Sequence, residues 1–83
     1  MTEGQNSVAA ETAEQKLSRL RRMVLLAPHD PEFRYQLARQ LFEFSLLDEA
    51  IDLIRGVIAM SPNHLDARKL LERALRLQPM PRV

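Results

Sequence analysis

Apolar residues recur every three or four positions in four successive stretches of the chain, and this spacing places them on one face of an α-helix. Proline or turn-forming residues separate the stretches, at Pro28, at residues 45–48 and at Pro62. We find no stretch with the period of two that marks a half-buried β-strand. The pattern therefore predicts an all-α protein with four antiparallel helices, at about residues 13–27, 31–44, 47–60 and 64–78.

Residue types suited to helix capping precede three of these helices. Thr12 and Gln15 have the spacing of a capping box, in which the hydroxyl and the amide side chain each accept a backbone hydrogen bond. Asp30 before Pro31 predicts the second start, because the carboxylate accepts amide hydrogens and proline presets the first helical dihedral angle. Asn63 is the predicted cap of the fourth helix.

The apolar pattern repeats at one constant offset, the one that separates Pro28 from Pro62, and we call it the repeat offset. A fixed period of this length, about 34 residues, is typical of helical repeat proteins in which each repeat is one pair of helices. The first helix therefore corresponds to the third, and the second to the fourth. The further pairs at the repeat offset are Leu17 and Ile51, Leu20 and Ile54, Met23 and Val57, Val24 and Ile58, Arg34 and Arg68, Leu37 and Leu71, Arg39 and Arg73, and Leu41 and Leu75.

Two small residues, Ala38 and Ala50, predict a close approach between the second and third helices. At the repeat offset the corresponding positions hold Lys16 on the first helix and Glu72 on the fourth. A charged side chain would obstruct a further helix packed at that distance. Polar outer faces are what the terminal repeats of a finished array need, so we expect a complete short module.

The residue order of the complete repeat resembles the tetratricopeptide repeat (TPR), whose pattern runs W-x2-L-G-x2-Y, then A-x3-F, then P. The chain keeps the leucine, both small residues and the proline, and replaces the aromatic residues: it reads Arg34-x2-Leu37-Ala38-x2-Leu41, then Ala50-x3-Ile54, then Pro62. The resemblance covers about residues 13–78, as one full repeat flanked by two half-repeats. It implies a TPR-like right-handed helical repeat, a short α-solenoid, that acts in protein–protein interaction.

The second predicted helix carries more apolar surface than one packing face needs. Tyr35, Arg39 and Phe42 lie one turn apart on this additional strip. The resemblance implies that this strip and its counterparts line a concave groove. Aromatic rings beside cationic side chains suit an extended or helical peptide with acidic groups or a free carboxylate. The counterparts at the repeat offset are Lys69, Arg73 and Arg76.

A second interpretation of these residues involves no ligand. Tyr35 and Phe42 then cover the first or fourth helix, and the arginines form a solvated face. The resemblance also sets a limit on the ligand: Tyr35 and Arg39 stand where TPR proteins that clamp terminal carboxylates have lysine and asparagine. Binding of the chaperone tails recognised by that clamp is therefore not expected.

Composition excludes several kinds of partner and site. Twelve basic and eleven acidic residues leave a net charge of +1, which gives no long-range attraction to nucleic acid or to an anionic membrane surface. The lack of cysteine excludes disulfides and most structural zinc sites. The polar start and the absence of a run of about 20 apolar residues predict a cytoplasmic protein. Its expected organisation is a disordered lead-in at 1–10, the helical domain at 11–78 and a short tail at 79–83.

We find no constellation of catalytic side chains in the sequence. His29 and His64 fall in predicted turns without metal-ligand spacing, so we expect turn or cap roles for them. The prediction is a non-enzyme without a metal or cofactor that binds a protein or peptide partner.

Two alternative functions remain open at this stage. One is a small chaperone that masks a helix of its client. The other is a homodimer or larger self-assembly, which would help a small core to stay folded. The apolar edges expected to pair in that case are Leu70 and Leu77 on the fourth helix, or Leu25 and Leu26 on the first.

Overall fold

The computed structural model describes residues 11–78, and this part of the chain contains four helices and no strand. The predicted all-α class is confirmed, and the helix bounds differ from the predicted ones by at most two residues. The expected lead-in at 1–10 and tail at 79–83 lie outside the described residues. The helices are α1 (Ala13–Leu26), α2 (Pro31–Glu43), α3 (Leu47–Met60) and α4 (Leu65–Leu77).

The predicted caps of α1 and α2 are confirmed. The amide N–H of Gln15 donates to Thr12 Oγ1 at 3.0 Å, and the amide N–H of Thr12 donates to Gln15 Oε1 at 2.9 Å, which completes the capping box. At α2 the amide N–H of Glu32 donates to the Asp30 carboxylate at 2.9 Å. Local sequence therefore fixes where both helices begin.

The predicted cap of α4 is wrong by one residue. His64, not Asn63, precedes α4, and its Nδ1 accepts a hydrogen bond from the amide N–H of Ala67 at 3.1 Å. Asn63 lies inside the preceding turn, which the amide N–H of His64 closes by donating to the Ser61 carbonyl at 3.0 Å. Because Pro62 and Asn63 form this turn, the first position with cap geometry is His64.

The turn between α2 and α3 ends α2 with the hydrogen bonds of a Schellman motif. The amide N–H of Leu46 donates to the Leu41 carbonyl, and that of Ser45 donates to the Phe42 carbonyl, both at 2.9 Å. Ser45 has a φ of 63°, the left-handed conformation that glycine usually occupies at this position. The chain therefore makes a tight reversal between α2 and α3 at a residue that is not suited to it.

Successive helices pack on one another, most extensively α2 on α3, and α2 also touches α4. Ala38 and Ala50 are both fully buried on the two helices that pack most extensively, as the predicted close approach of α2 and α3 requires. On the outside, the guanidinium of Arg21 joins α1 to the Glu49 carboxylate of α3 at 2.5 and 3.2 Å. The buried core residues are Leu20, Leu37, Ala38, Leu41, Ala50, Ile51, Ile54, Val57, Ala67, Leu70 and Ala74.

Exposure at the two outer helices departs from the predicted pattern. Leu75 and Leu77 lie on the apolar side of α4 and are nevertheless 43% and 62% exposed. No later helix in the described residues covers Leu75, and Leu77 is the last residue of α4. Leu70, predicted as part of a free edge, is buried beneath α4. Leu25 and Leu26, the other predicted edge, are exposed at the end of α1.

Candidate functional site

The six predicted site residues lie on α2 and α4, and we call them the basic–aromatic face. The two rings, Tyr35 and Phe42, are half-buried and pack against the core. The four cationic side chains are exposed. The basic–aromatic face consists of Tyr35, Arg39, Phe42, Lys69, Arg73 and Arg76.

Two of the cationic side chains stack on the two rings. The guanidinium carbon of Arg39 lies 5.9 Å from the centroid of the Tyr35 ring, one turn away on α2. The guanidinium carbon of Arg73 lies 5.1 Å from the centroid of Phe42, which connects α4 to α2. Both distances are within the range of a cation–π interaction, which contributes about 0.5–1 kcal/mol at an exposed site. Stacking thus reduces the freedom of two long side chains.

His64 belongs to the same surface although the sequence analysis assigned it only a turn or cap role. Its ring centroid lies 4.7 Å from that of Tyr35, with the ring planes tilted by 46°. Since Nδ1 accepts the Ala67 amide hydrogen, the neutral ring carries its proton on Nε2, which is 3.3 Å from Glu32 Oε1. The Tyr35 side chain of α2 therefore packs against the start of α4.

The surroundings of Tyr35 keep its hydroxyl protonated. Burial of the phenol raises the pKa of Tyr35, and the nearby carboxylates of Asp66 and Glu32 act in the same direction. The positive charge of Arg39 opposes them with a smaller effect than that of Asp66. The phenol therefore keeps its proton to a higher pH than an unperturbed tyrosine does.

Lys69 and Arg76 are placed differently from the stacked arginines. An Arg76 guanidinium nitrogen lies 3.6 Å from the Glu72 carboxylate, in a pair that is exposed to solvent on both sides. Lys69 lines a shallow groove along the outer edge of α3 and α4, which we call the α4 groove. The lining residues of the α4 groove are Ile58, Leu65, Arg68, Lys69, Leu71, Glu72 and Leu75.

A second groove runs between α1 and α2 on the opposite end of the molecule, and we call it the α1–α2 groove. Its lining is mainly polar and carries both signs of charge. Arg39 contributes to it as well as to the basic–aromatic face. The lining residues of the α1–α2 groove are Lys16, Leu20, Glu32, Gln36, Arg39, Gln40 and Glu43.

Within residues 11–78 no group of three or more histidine, aspartate or glutamate side chains is placed to hold a metal ion. No helix in that part of the chain is both long enough and apolar enough to cross a bilayer. The chain matches no family model, no curated protein and no solved structure. Interpretation of the grooves and of the basic–aromatic face therefore depends on the chain's own residues.

Proposed function

We propose that the chain is a non-catalytic, cytoplasmic protein-interaction module built as a TPR-like right-handed helical repeat. Its basic–aromatic face binds an extended or helical peptide that carries acidic side chains or a free carboxylate. The observation that carries this proposal is the pair of stacks, Arg39 on Tyr35 and Arg73 on Phe42.

Stacking prepares an arginine for a carboxylate in a way that an unrestrained surface charge does not. A guanidinium that lies over a ring by its flat side keeps its N–H donors in its own plane, where they can form bidentate hydrogen bonds with a carboxylate. Because the side chain is already partly ordered, less conformational entropy is lost when a peptide binds. Two such arginines, one on α2 and one on α4, give a peptide two anchor points on different helices.

Apolar contact area at the face comes from the exposed parts of Tyr35 and Phe42. Both rings are half-buried, so they are rigid and still present a surface to a ligand. Aromatic and arginine side chains are enriched among the residues that contribute most to binding at protein interfaces. The competing interpretation, in which the rings only cover α4 and the arginines are solvated, uses the same contacts and differs in its response to a ligand.

The experiment is a titration of the isotopically labelled chain with a glutamate-rich peptide, monitored by NMR amide shifts, with a lysine-rich peptide as the control ligand. We expect shifts on α2 and α4 with the acidic peptide alone. Arg39→Glu and Arg73→Glu should each abolish them while far-UV circular dichroism stays unchanged. The matched control is Arg22→Glu, which makes the same charge change at an exposed position of α1.

Equal shifts in the wild type and both face variants would contradict the proposal. So would equal loss in Arg22→Glu, because the attraction would then depend on net charge rather than on the stacked arginines.

A further inference from the structure

The first and last helices of the described chain, α1 and α4, each carry one of the two surfaces that form a helix–helix contact inside the chain. At the repeat offset, α1 corresponds to α3 and α2 corresponds to α4. The most extensive packing in the chain is that of α2 on α3. Continued past the ends, the pattern would place a helix like α3 against α4 and a helix like α2 against α1.

Burial on α4 shows the first half of this contact. Leu37 and Leu41 of α2 are 3% and 0% exposed, with α3 packed over them. Their counterparts on α4 are Leu71, which is half-buried, and Leu75, which is 43% exposed. The side of α4 that corresponds to the α3-facing side of α2 is therefore apolar and open.

Burial on α1 shows the second half. Ile51 and Val57 of α3 are buried in the core. Their counterparts on α1 are Leu17 and Met23, which are only half-buried, although Leu20 between them is buried. The side of α1 that corresponds to the α2-facing side of α3 is thus incompletely covered.

The α4 groove follows the same correspondence. Shifted back by the repeat offset, two of its leucines fall on Leu37 and Leu41, buried residues of α2, the helix on which α3 packs most extensively inside the chain. The α4 groove is therefore the position at which the next helix of type α3 would lie. The shifted apolar positions are Val24 for Ile58, Pro31 for Leu65, Leu37 for Leu71 and Leu41 for Leu75.

The α1–α2 groove is the reciprocal position. Part of its lining corresponds, one repeat offset later, to buried residues of α3 and α4 in the core that α2 helps to form. These residues are Ala50, Ile54, Leu70 and Ala74. The α1–α2 groove is therefore where a preceding helix of type α2 would lie. A second copy of the chain can supply either missing helix. Its α1 is of the α3 type and suits the α4 groove, and its α4 is of the α2 type and suits the α1–α2 groove.

Charge at the centre of this contact distinguishes a second copy from an arbitrary helix. The fully buried pair Ala38 and Ala50 corresponds to Glu72 on α4 and Lys16 on α1. These side chains have opposite charges, are both exposed and line the two opposite grooves. Each charge alone disfavours an uncharged or like-charged helix, whereas the two neutralise each other when the ends of two copies meet.

A second complementary pair follows from the contacts of Tyr35. Inside the chain Tyr35 packs at the start of α4, near Asp66. The counterpart of Tyr35 is Lys69 in the α4 groove, and the counterpart of Asp66 is Glu32 in the α1–α2 groove. Lys69 of one copy would therefore face Glu32 of the next.

We propose that this protein associates head to tail with a second copy of itself, with α1 of one copy lying in the α4 groove of the other. The inference goes beyond the proposed peptide binding and stands without it. Because the two contacting surfaces differ, a series of joined copies still has one unpaired surface at each of its ends. The contact therefore produces open filaments or closed rings. Lys16 and Glu72 are larger than the two alanines, so the joined helices lie farther apart than α2 and α3. The contact is weak, and its charges set its specificity.

The first test is sedimentation equilibrium of the full chain at low salt, from about 1 µM to about 1 mM, a range that covers weak dissociation constants. We expect an average mass that rises with concentration beyond that of a dimer, and that falls as salt screens the charge pairs. A monomer across the whole range overturns the proposal. A species that stops at two copies and is insensitive to salt also overturns it, because that is the behaviour of a symmetric contact.

The second test uses charge reversal at each end. Lys16→Glu and Glu72→Lys each place like charges at the contact, and each variant alone should associate at least about tenfold more weakly than the wild type. An equimolar mixture of the two should recover association, since each end of one variant then complements the opposite end of the other. Arg22→Glu and Asp52→Lys, exposed charge reversals outside both grooves, should behave as the wild type does.

Failure of the mixture to recover association overturns the head-to-tail arrangement, even if both single variants are monomeric. A wild type that is monomeric and associates only after residues 79–83 are removed overturns the proposal for the full chain, because the chain's own end then occupies the α4 groove. Circular dichroism of each variant checks that the helices are retained.

Discussion

The centre of the molecule and its two outer helices use the same pattern of residues with different results. On α2 and α3 the repeated positions are buried, down to the paired alanines Ala38 and Ala50. On α1 and α4 the corresponding positions, except Leu20, are partly or fully exposed, and charged residues replace the alanines. The difference shows that burial in this protein depends on how many neighbours a helix has. It also shows that the outer positions remain suited to a neighbour that the described chain does not provide.

The largest expected effect comes from placing at the centre of the molecule, on α2, the charged residue that α4 has at the corresponding position. Ala38→Glu places a carboxylate at a fully buried position against α3, where its desolvation is uncompensated. We expect loss of the folded state, measured as loss of helical circular dichroism. The matched change at the outer position, Glu72→Ala, should alter the free energy of unfolding by no more than about 0.5 kcal/mol. A folded Ala38→Glu variant would show that the centre is as adaptable as the ends.

The next effect compares two leucines that share one position of the repeat. Leu41→Ala removes a fully buried side chain and should lower the free energy of unfolding by about 2–5 kcal/mol. Leu75→Ala removes a side chain that is 43% exposed and should cost less than about 1.5 kcal/mol. Urea denaturation at low micromolar concentration measures both without contributions from association. Equal costs would mean that α4 is covered in solution even at low concentration.

A smaller and stabilising effect is expected at the turn that joins the two central helices. Ser45 has a φ of 63°, so Ser45→Gly should raise the free energy of unfolding by about 0.5–1 kcal/mol. The control is Ser61→Gly at the end of α3, where φ is −141° and glycine brings only additional freedom to the unfolded chain. That variant should be unchanged or less stable. A destabilised Ser45→Gly variant would contradict the strain argument.

The smallest effect is a pH dependence at the boundary between α2 and α4. The pKa of Tyr35 is raised in the folded chain, so the folded state holds the phenolic proton more tightly than the unfolded state does. This contribution to stability is complete below the unfolded pKa of about 10 and is lost as pH rises through the higher folded value. Urea denaturation near neutral pH and above about pH 10 measures it, and Tyr35→Phe should remove that part of the alkaline loss. An identical alkaline loss of unfolding free energy in Tyr35→Phe would show that other groups cause this loss.

Features that depend on a few neighbouring residues could be predicted from the sequence. The capping box at Thr12 and the Asp30 cap are of this kind, since hydrogen bonds within one turn determine them. The close approach at Ala38 and Ala50 was also predictable, because side-chain size limits how near two helices can pack. The predicted cap at Asn63 failed because two positions in that turn compete, and the turn hydrogen bond decides between them.

Exposure at the outer helices and the contacts of the site were not predictable in this way. Leu70 and Leu77 occupy the same apolar side of α4 two turns apart, yet Leu70 is buried and Leu77, the last residue of the helix, is exposed. For the basic–aromatic face, the sequence placed Tyr35 and Arg39 one turn apart. The contacts of Arg73 with the Phe42 ring and of His64 with the Tyr35 ring depend on how α4 lies against α2.

The short reversal between α2 and α3 has a consequence for how the chain folds. Almost all packing joins helices that are adjacent in sequence, so little loop-closure entropy opposes the first contacts, and a low contact order of this kind is associated with folding in microseconds to milliseconds. The α2–α3 hairpin holds most of the buried surface and is the natural nucleus. Amide hydrogen exchange should then be slowest in this hairpin and faster in α1 and α4, which open without unfolding the centre.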